Sequence, residues 1–148
     1  MLRLWADAIC INQSDVEDRN QQVQIMGLVY SLAQHTVIFP GVFDTETASV
    51  MQHIASRKVA NSQDRTGLSD EMKRIVKSNI LTHPWFIREW ILQELVLSRY
   101  LWLQCGTHRV RWERFTDSVL CYLKSGEPLV SAARDMNSIK TLHQRDKA

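Results

Sequence analysis

The sequence predicts an α/β fold with a short, mostly parallel sheet flanked by helices. An apolar run over Leu2–Ile11 is followed by a long helical pattern, and a second short run, Thr36–Phe39, comes directly after it. Strand, helix and strand in this order are typical of a right-handed βαβ unit, in which the two strands pair in parallel.

The overall composition fits one soluble domain over residues 1–148, with a core at about 2–123. The chain is 45% hydrophobic and 23% charged, as ordinary globular proteins are. A net charge of +2 is too small to indicate nucleic acid or an anionic membrane as partner, so we expect neither. Three widely spaced cysteines favour reduced thiols and a cytoplasmic location. No apolar run reaches the roughly 20 residues of a membrane span.

The first run, Leu2–Ile11, has little polar alternation, which is typical of a strand buried on both faces. Polar residues follow at its end, where open α/β sheets usually place their binding sites. Asp7, Asn12 and Gln13 are therefore candidates to bind a polar ligand. In the alternative interpretation, Asn12 and Ser14 only satisfy free amides at the start of the next helix. The residues alone favour this alternative.

The next helix is predicted from Asp15 to Gln34. Ser14–Glu17 has the Ser-x-x-Glu pattern of a capping box, which marks a helix start. Apolar residues then recur at helical spacing, and they predict a buried face made of Val16, Val23, Met26, Tyr30 and Ala33.

The later elements follow from similar signals of periodicity, capping and chain breaking. Thr36–Phe39 reads as a strand closed by Pro40–Gly41. After it we expect a helix over Thr45–Lys58, a polar loop over Asn61–Gly67, a helix capped by Ser69 that stops at His83–Pro84, a helix over Trp85–Ser98, strands over Tyr100–Gln104 and Arg109–Arg111 as a hairpin or as two edge segments, a helix over Trp112–Leu123 and a terminal helix over Leu129–His143.

Glu94 is the most informative candidate for chemistry. At helical spacing it shares a side of its helix with Ile91 and Leu97, so its carboxylate should be partly desolvated. The structural alternative is a buried glutamate that bonds a backbone amide, Arg88 or Arg99, and spacing alone favours it.

Other constellations are weak. The five histidines are scattered, no histidines or cysteines sit at metal-ligand spacing, and the glycines form no phosphate-binding cluster. Arg109, Arg111 and Arg114 with Trp112 resemble a small basic, aromatic patch. A solvated face is the better interpretation of that patch, since the net charge is low.

Two blocks of this sequence together resemble the fungal heterokaryon-incompatibility (HET) domain. The first is Leu4–Gln13, LWADAICINQ, continued by Asp15, Arg19, Gln22 and Tyr30, and the second is Pro84–Glu94, PWFIREWILQE. Cys105–Gly106 and Trp112–Phe115 resemble the segment that follows in that family. The chain departs from the family at Ala6 and at His83. It also lacks a counterpart of the family's first block, so we expect a domain truncated at its N-terminus.

The resemblance implies a TIR-like three-layer sandwich and a role in non-self recognition and regulated cell death, through protein partners or self-association. Trp90–Glu94 is similar to the Trp-x-x-x-Glu pattern of NAD-cleaving TIR domains. This similarity makes Glu94 a candidate catalytic residue, with NAD as substrate rather than cofactor and with Asp7, Asn12, Gln13, Arg88 and Trp90 as candidate ligand-binding residues. Two alternatives to a role in association stay open: a nucleotide hydrolase, and an inactive truncated remnant.

Overall fold

The structure is a computed structural model that describes residues 3–56, 68–87 and 91–120 and the positions 135 and 138–139. Its described elements are α1 (Asp7–Cys10), α2 (Val16–Leu32), β1 (Thr36–Gly41), α3 (Thr45–Ser56), α4 (Asp70–Ile75) continued by a π-helix (Val76–Leu81), a 3₁₀ turn (Pro84–Ile87), α5 (Ile91–Leu97), β2 (Leu101–Cys105), β3 (His108–Arg111) and α6 (Trp112–Leu120). This order confirms a mixed α/β fold.

The three described strands form one sheet in the order β1-β2-β3. β1 and β2 are parallel, with Thr36 opposite Leu101 and Ile38 opposite Leu103. β2 and β3 form an antiparallel hairpin, which confirms the hairpin prediction. Gly106 lies in the turn of the hairpin with a φ of +57°, a conformation that glycine adopts without strain.

The hydrophobic core lies against one face of this sheet. Alternate strand residues point into it: Ile38, Leu101, Leu103 and Val110 are all buried. Helical residues from α3, the π-helix, α5 and α6 complete the cluster, and they include Met51, Ile54, Ile80, Leu95 and Phe115.

The prediction of a buried strand over Leu2–Ile11 is wrong for the part that the structure describes. Residues 3–6 pair with no described strand, and the chain then turns into the short helix α1. The side chains of Leu4 and Ile9 are 81% and 80% exposed. Apolar residues in a short run cannot distinguish a strand from other structures. The parallel partner of β1 is β2, and not this run. The proposed βαβ unit is therefore wrong as well.

The start of α2 differs from the predicted capping box by one residue. Asp15 is the N-cap, and its Oδ1 accepts hydrogen bonds from the backbone N–H groups of Glu17 and Asp18 at 2.9 and 3.1 Å. The Ser14 hydroxyl donates to Asn12 Oδ1 instead, at 2.7 Å. The helix itself is confirmed within two residues at each end. Its predicted buried face is confirmed in part: Met26 is buried, Val23, Tyr30 and Ala33 are half-buried, and Val16 is exposed.

The region from α3 to the π-helix is joined by a polar cluster. Asp44 Oδ1 accepts a hydrogen bond from the Thr47 N–H at 2.8 Å, and the pKa of Asp44 is lowered by the backbone and hydroxyl of Thr47. Asn79 Nδ2, in the π-helix, donates to Thr47 Oγ1 at 2.9 Å. The predicted Ser69 cap is confirmed, since Ser69 Oγ accepts from the Met72 N–H at 3.2 Å.

The remaining predicted elements are confirmed in part. The helix predicted over Trp85–Ser98 is a 3₁₀ turn and α5, with residues 88–90 outside the described chain. The helix predicted from Trp112 is observed to Leu120. The loop at 61–67 and nearly all of the terminal helix predicted over 129–143 lie outside the described residues.

The position of α1 predicts contrasting reactivity for two cysteines. Cys10 is exposed, whereas burial raises the pKa of the Cys105 thiol to about 12. At pH 8 such a thiol is ionised in only about one part in 10,000, and we expect iodoacetamide to alkylate Cys10 at least about a hundredfold faster. Peptide mapping by mass spectrometry measures both rates, with denatured protein as the control in which both thiols react. Equal protection of Cys10 would favour the buried strand instead.

Candidate functional site

Glu94 lies on α5, half-buried, beside the buried indole of Trp85. The indole N–H of Trp85 donates to Glu94 Oε2 at 3.1 Å. This bond confirms that Glu94 lies on the inner side of its helix, as its spacing predicts. The indole partner is not among the partners that sequence reasoning named, although Trp85 stands in the same sequence block.

Trp85 is fixed by a cluster of aromatic rings under the sheet. Its ring centroid lies 4.9 Å from Phe86 at an interplanar angle of 89° and 6.0 Å from Trp112 at 65°. The rings of Trp112 and Phe115 are 5.9 Å apart. Edge-to-face contacts of this kind are favourable beyond the burial of apolar area. The cluster therefore holds the Trp85 N–H in a defined position, and with it the carboxylate of Glu94.

The backbone of Glu94 is anchored separately, to the start of β1. The buried Ser98 hydroxyl donates to the carbonyl oxygen of Glu94. Ser98 Oγ also lies 2.7 Å from Thr36 Oγ1, within hydrogen-bond distance. The side chain of Glu94 is thus held by Trp85 of the preceding 3₁₀ turn, and its main chain is linked through Ser98, at the end of α5, to Thr36 of β1. A binding or catalytic carboxylate requires such support.

One polar atom in the aromatic cluster is unsatisfied. Trp112 is completely buried, and its indole N–H has no hydrogen-bond partner in the described part of the chain. Leaving a buried donor unpaired costs about 1–3 kcal/mol. Because the Trp112 ring contacts Trp85, this unpaired N–H lies in the same aromatic cluster that orients Glu94.

Asp7, Asn12 and Gln13 are brought together, but at a helix start and not at the end of a strand. Gln13 Nε2 donates to the carbonyl oxygen of Asp7 at 3.0 Å, and the Asn12 N–H donates to Asp18 Oδ2 at 2.9 Å. Asn12 Oδ1 accepts from the Ser14 N–H at 3.2 Å. These bonds are those of the structural alternative, in which the polar side chains satisfy amides near the beginning of α2. The candidate residues Arg88 and Trp90 lie outside the described residues.

Two kinds of feature are not found in the described ranges. No three histidine, cysteine, aspartate or glutamate side chains there are arranged to hold a metal ion. No helix in the same ranges combines the length and the apolar character needed to cross a bilayer.

Comparison with known proteins matches both sequence blocks. The profile of the family described as "Heterokaryon incompatibility protein (HET)" matches residues 1–94. The chain belongs to this HET family. A curated relative, "Heterokaryon incompatibility protein 6, OR allele" of Neurospora crassa, is 27% identical over 140 residues. That alignment covers 71% of this chain and 20% of the relative, so the chain spans about a fifth of the relative's length. No solved structure matches the chain.

The range matched by the HET family can be compared with the elements of the structure. This range contains α1, α2 and β1 and ends at Glu94, within α5. The strand that pairs with β1 follows the matched range, since β2 begins at Leu101. In this HET domain the sheet is therefore completed by residues beyond the matched range. The hydrogen bond from Trp85 to Glu94 lies within the matched range.

The bond between Trp85 and Glu94 can be tested by Trp85→Phe, which keeps an aromatic ring and removes the N–H donor. We expect the free energy of unfolding to fall by about 1.5–3 kcal/mol, the range for a hydrogen bond to a charged group. Urea denaturation followed by circular dichroism measures this change. Trp85→Ala serves as comparison and should cost about 3–5 kcal/mol because it also removes the ring. No loss of stability in Trp85→Phe would show that the bond contributes nothing.

Proposed function

We propose that this chain is a HET module that acts in the cytoplasm, in fungal non-self recognition and regulated cell death, by associating with other protein molecules, including copies of itself. Membership of the HET family and the name of the Neurospora crassa relative support the biological role. The structural observation that supports association is the unpaired edge of β1.

One edge of β1 has no strand partner among the described residues. The Thr36 N–H donates to the Tyr100 carbonyl at 2.8 Å, on the side of β2. The N–H and C=O groups of one strand residue point to one edge, and those of the next residue point to the other. The N–H and C=O groups of Val37 and Phe39 therefore point away from β2. An edge with unpaired N–H and C=O groups is a template for pairing with a strand of another chain.

Apolar side chains surround this edge. Leu32 ends α2 just before β1 and is 75% exposed, and Val42 follows β1 and is 85% exposed. Phe39, within the strand, is 56% exposed. Pairing at the edge would cover part of these side chains, which stabilises the pair by about 25 cal/mol for each Å² of apolar surface buried.

If the chains associate through β1, the substitution Val37→Lys should weaken that association. A lysine on an edge strand opposes pairing, because it replaces an apolar side chain beside the added strand and brings like charges together in a self-associated pair. We expect the dissociation constant to rise by about tenfold or more, measured by sedimentation at several protein concentrations. Ser49→Lys is the matched control, because Ser49 is exposed on α3 and away from this edge.

The same two variants connect association with cell death. When they are expressed in a fungal host, the unchanged chain and Ser49→Lys should arrest growth, and Val37→Lys should do so less. An unchanged chain that stays monomeric at high concentration and is harmless in the host would refute the proposal.

The second candidate function is cleavage of NAD or a related nucleotide, with Glu94 as the catalytic carboxylate. The bond from Trp85 supports it, because this bond holds a half-buried carboxylate in one position. A carboxylate beside the ribose could stabilise an oxocarbenium-like transition state, as in glycoside hydrolysis. Asp7, Asn12, Gln13, Arg88 and Trp90 are the residues we propose to contact the nucleotide.

This candidate predicts that the chain releases nicotinamide from NAD and that Glu94→Gln reduces the rate by about a hundredfold or more. Glutamine keeps an oxygen that can accept the Trp85 N–H, so the fold should be retained. Glu113→Gln, on the exposed side of α6, is the control and should keep the full rate. Chromatography of the products measures the release. Absent release, or equal release by Glu94→Gln, would rule this candidate out.

A further inference from the structure

The face of the sheet opposite the core is exposed and rich in aromatic and cationic groups. Strand alternation and the pairing register place its side chains side by side. We call this surface the open face; its members are Val37, Phe39, Tyr100, Trp102, Gln104, Arg109 and Arg111, and all of them are exposed or half-buried.

The aromatic rings of the open face are in contact with guanidinium groups. Arg109 and Arg111 each have their Cζ atom 5.4 Å from the ring centroid of Trp102. The Cζ atoms of Arg111 and Arg99 lie 5.7 and 5.6 Å from the ring centroid of Tyr100. These distances are those of cation–π contacts, which orient a guanidinium without neutralising its charge.

No carboxylate balances these charges in the described part of the chain. The two salt bridges found there lie on α4, between Lys73 and Asp70 and between Arg74 and Glu71. The described hydrogen-bond partner of Arg109 is the neutral Gln104, at 3.2 Å. Three arginines therefore present net positive charge beside the exposed ring of Tyr100 and the half-buried ring of Trp102. Arginine donates hydrogen bonds from its edge even when its flat face lies over a ring.

We propose that the open face binds single-stranded nucleic acid, with its phosphates on Arg99, Arg109 and Arg111 and its bases against Tyr100 and Trp102. This goes beyond the proposed role in association. Exposed rings on a sheet that carries flanking cations are how several single-strand binders hold bases and backbone together. The carboxylates of an acidic protein segment would pair with the arginines but would not stack on two adjacent aromatic rings.

The spacing of the cations supports a linear polyanion. Arg109 and Arg111 are two residues apart on β3, so their backbone positions are separated by roughly 7 Å along the strand. Trp102 on the neighbouring strand β2 and Tyr100, just before that strand, follow the same two-residue spacing. Rings and cations thus form two parallel rows along the sheet.

The expectation of no nucleic-acid partner depended on the net charge, and the basic, aromatic patch suggested by the sequence contained Trp112 as its ring. Trp112, which the sequence grouped with the arginines, is completely buried. Trp102 takes its place on the surface, and its indole N–H donates to His35 Nδ1 at 3.3 Å. A net charge of +2 averages over the chain, whereas Arg99, Arg109 and Arg111 lie together at this face.

Fluorescence anisotropy with a labelled oligouridylate of about 12 nucleotides tests the proposal. The unchanged chain should bind at low salt with a dissociation constant below about 100 µM. The double variant Arg109→Gln/Arg111→Gln should bind at least about tenfold more weakly. Because two phosphate contacts are lost, its slope of log affinity against log salt should also fall by about 1.4.

Two further variants separate specific effects from general ones. Arg19→Gln/Lys77→Gln removes the same net charge from exposed positions on α2 and the π-helix, and it should bind as the unchanged chain does. Trp102→Leu removes the ring and keeps an apolar side chain, and it should weaken binding while the salt slope is unchanged. Circular dichroism confirms that each variant is folded.

Four results would overturn the proposal. They are no binding by the unchanged chain, an equal loss in the Arg19→Gln/Lys77→Gln control, full binding by a folded Trp102→Leu, and binding of poly-glutamate as tight as that of the oligouridylate. The last would indicate an acidic protein as partner. At protein concentrations where the chain is monomeric, Val37→Lys should not weaken oligouridylate binding, because it adds a positive charge to the open face. Failure of edge association and failure of nucleic-acid binding can therefore be told apart.

Discussion

The parallel pairing of β1 with β2 is the constraint on which the rest of this structure depends. Parallel strands cannot be joined by a tight turn, so the chain between Gly41 and Leu101 must cross from one end of the sheet to the other. That crossing includes α3, α4, the π-helix and α5, and it supplies much of the hydrophobic core. It also brings the second HET block beneath the sheet. The position of Glu94 thus follows from the parallel pairing of β1 with β2.

Because the crossing packs against one face, side-chain alternation along the strands divides the sheet into a buried and an exposed surface. Ile38 and Leu103 point into the core, whereas Val37 and Trp102 point away from it. A parallel pair is usually covered on both faces. The exposed face here carries charge in place of a second apolar layer, and this composition is what favours a charged partner over a further helix of the same fold.

The sequence predicted those elements whose signals are local. The Ser69 cap, the limits of α2 and the hairpin around Gly106 all follow from residues close to one another in the chain. The strand expected over Leu2–Ile11 was wrong because a strand is defined by its neighbour, and the pairing of β1 with a strand more than sixty residues later leaves no local trace. The Trp85–Glu94 bond was missed for a related reason: a 3₁₀ turn at Trp85 departs from the 100° spacing by which helical neighbours are inferred. Arg114 was grouped with the wrong surface, since it donates to the Ala55 carbonyl at 2.7 Å on the core side.

The two proposed surfaces meet at β1, and this has a physical consequence for how they would act together. The peptide groups of Val37 point to the unpaired edge, while its side chain lies on the open face. A strand added at that edge would extend the open face by one more row of side chains, without disturbing the arginines on β3. Binding of an extended polyanion would in turn favour the paired state, because it would contact the wider surface of two chains. Coupling of this kind is reciprocal by thermodynamic necessity. Association through β1 and recognition on the open face would then be linked equilibria of a single sheet.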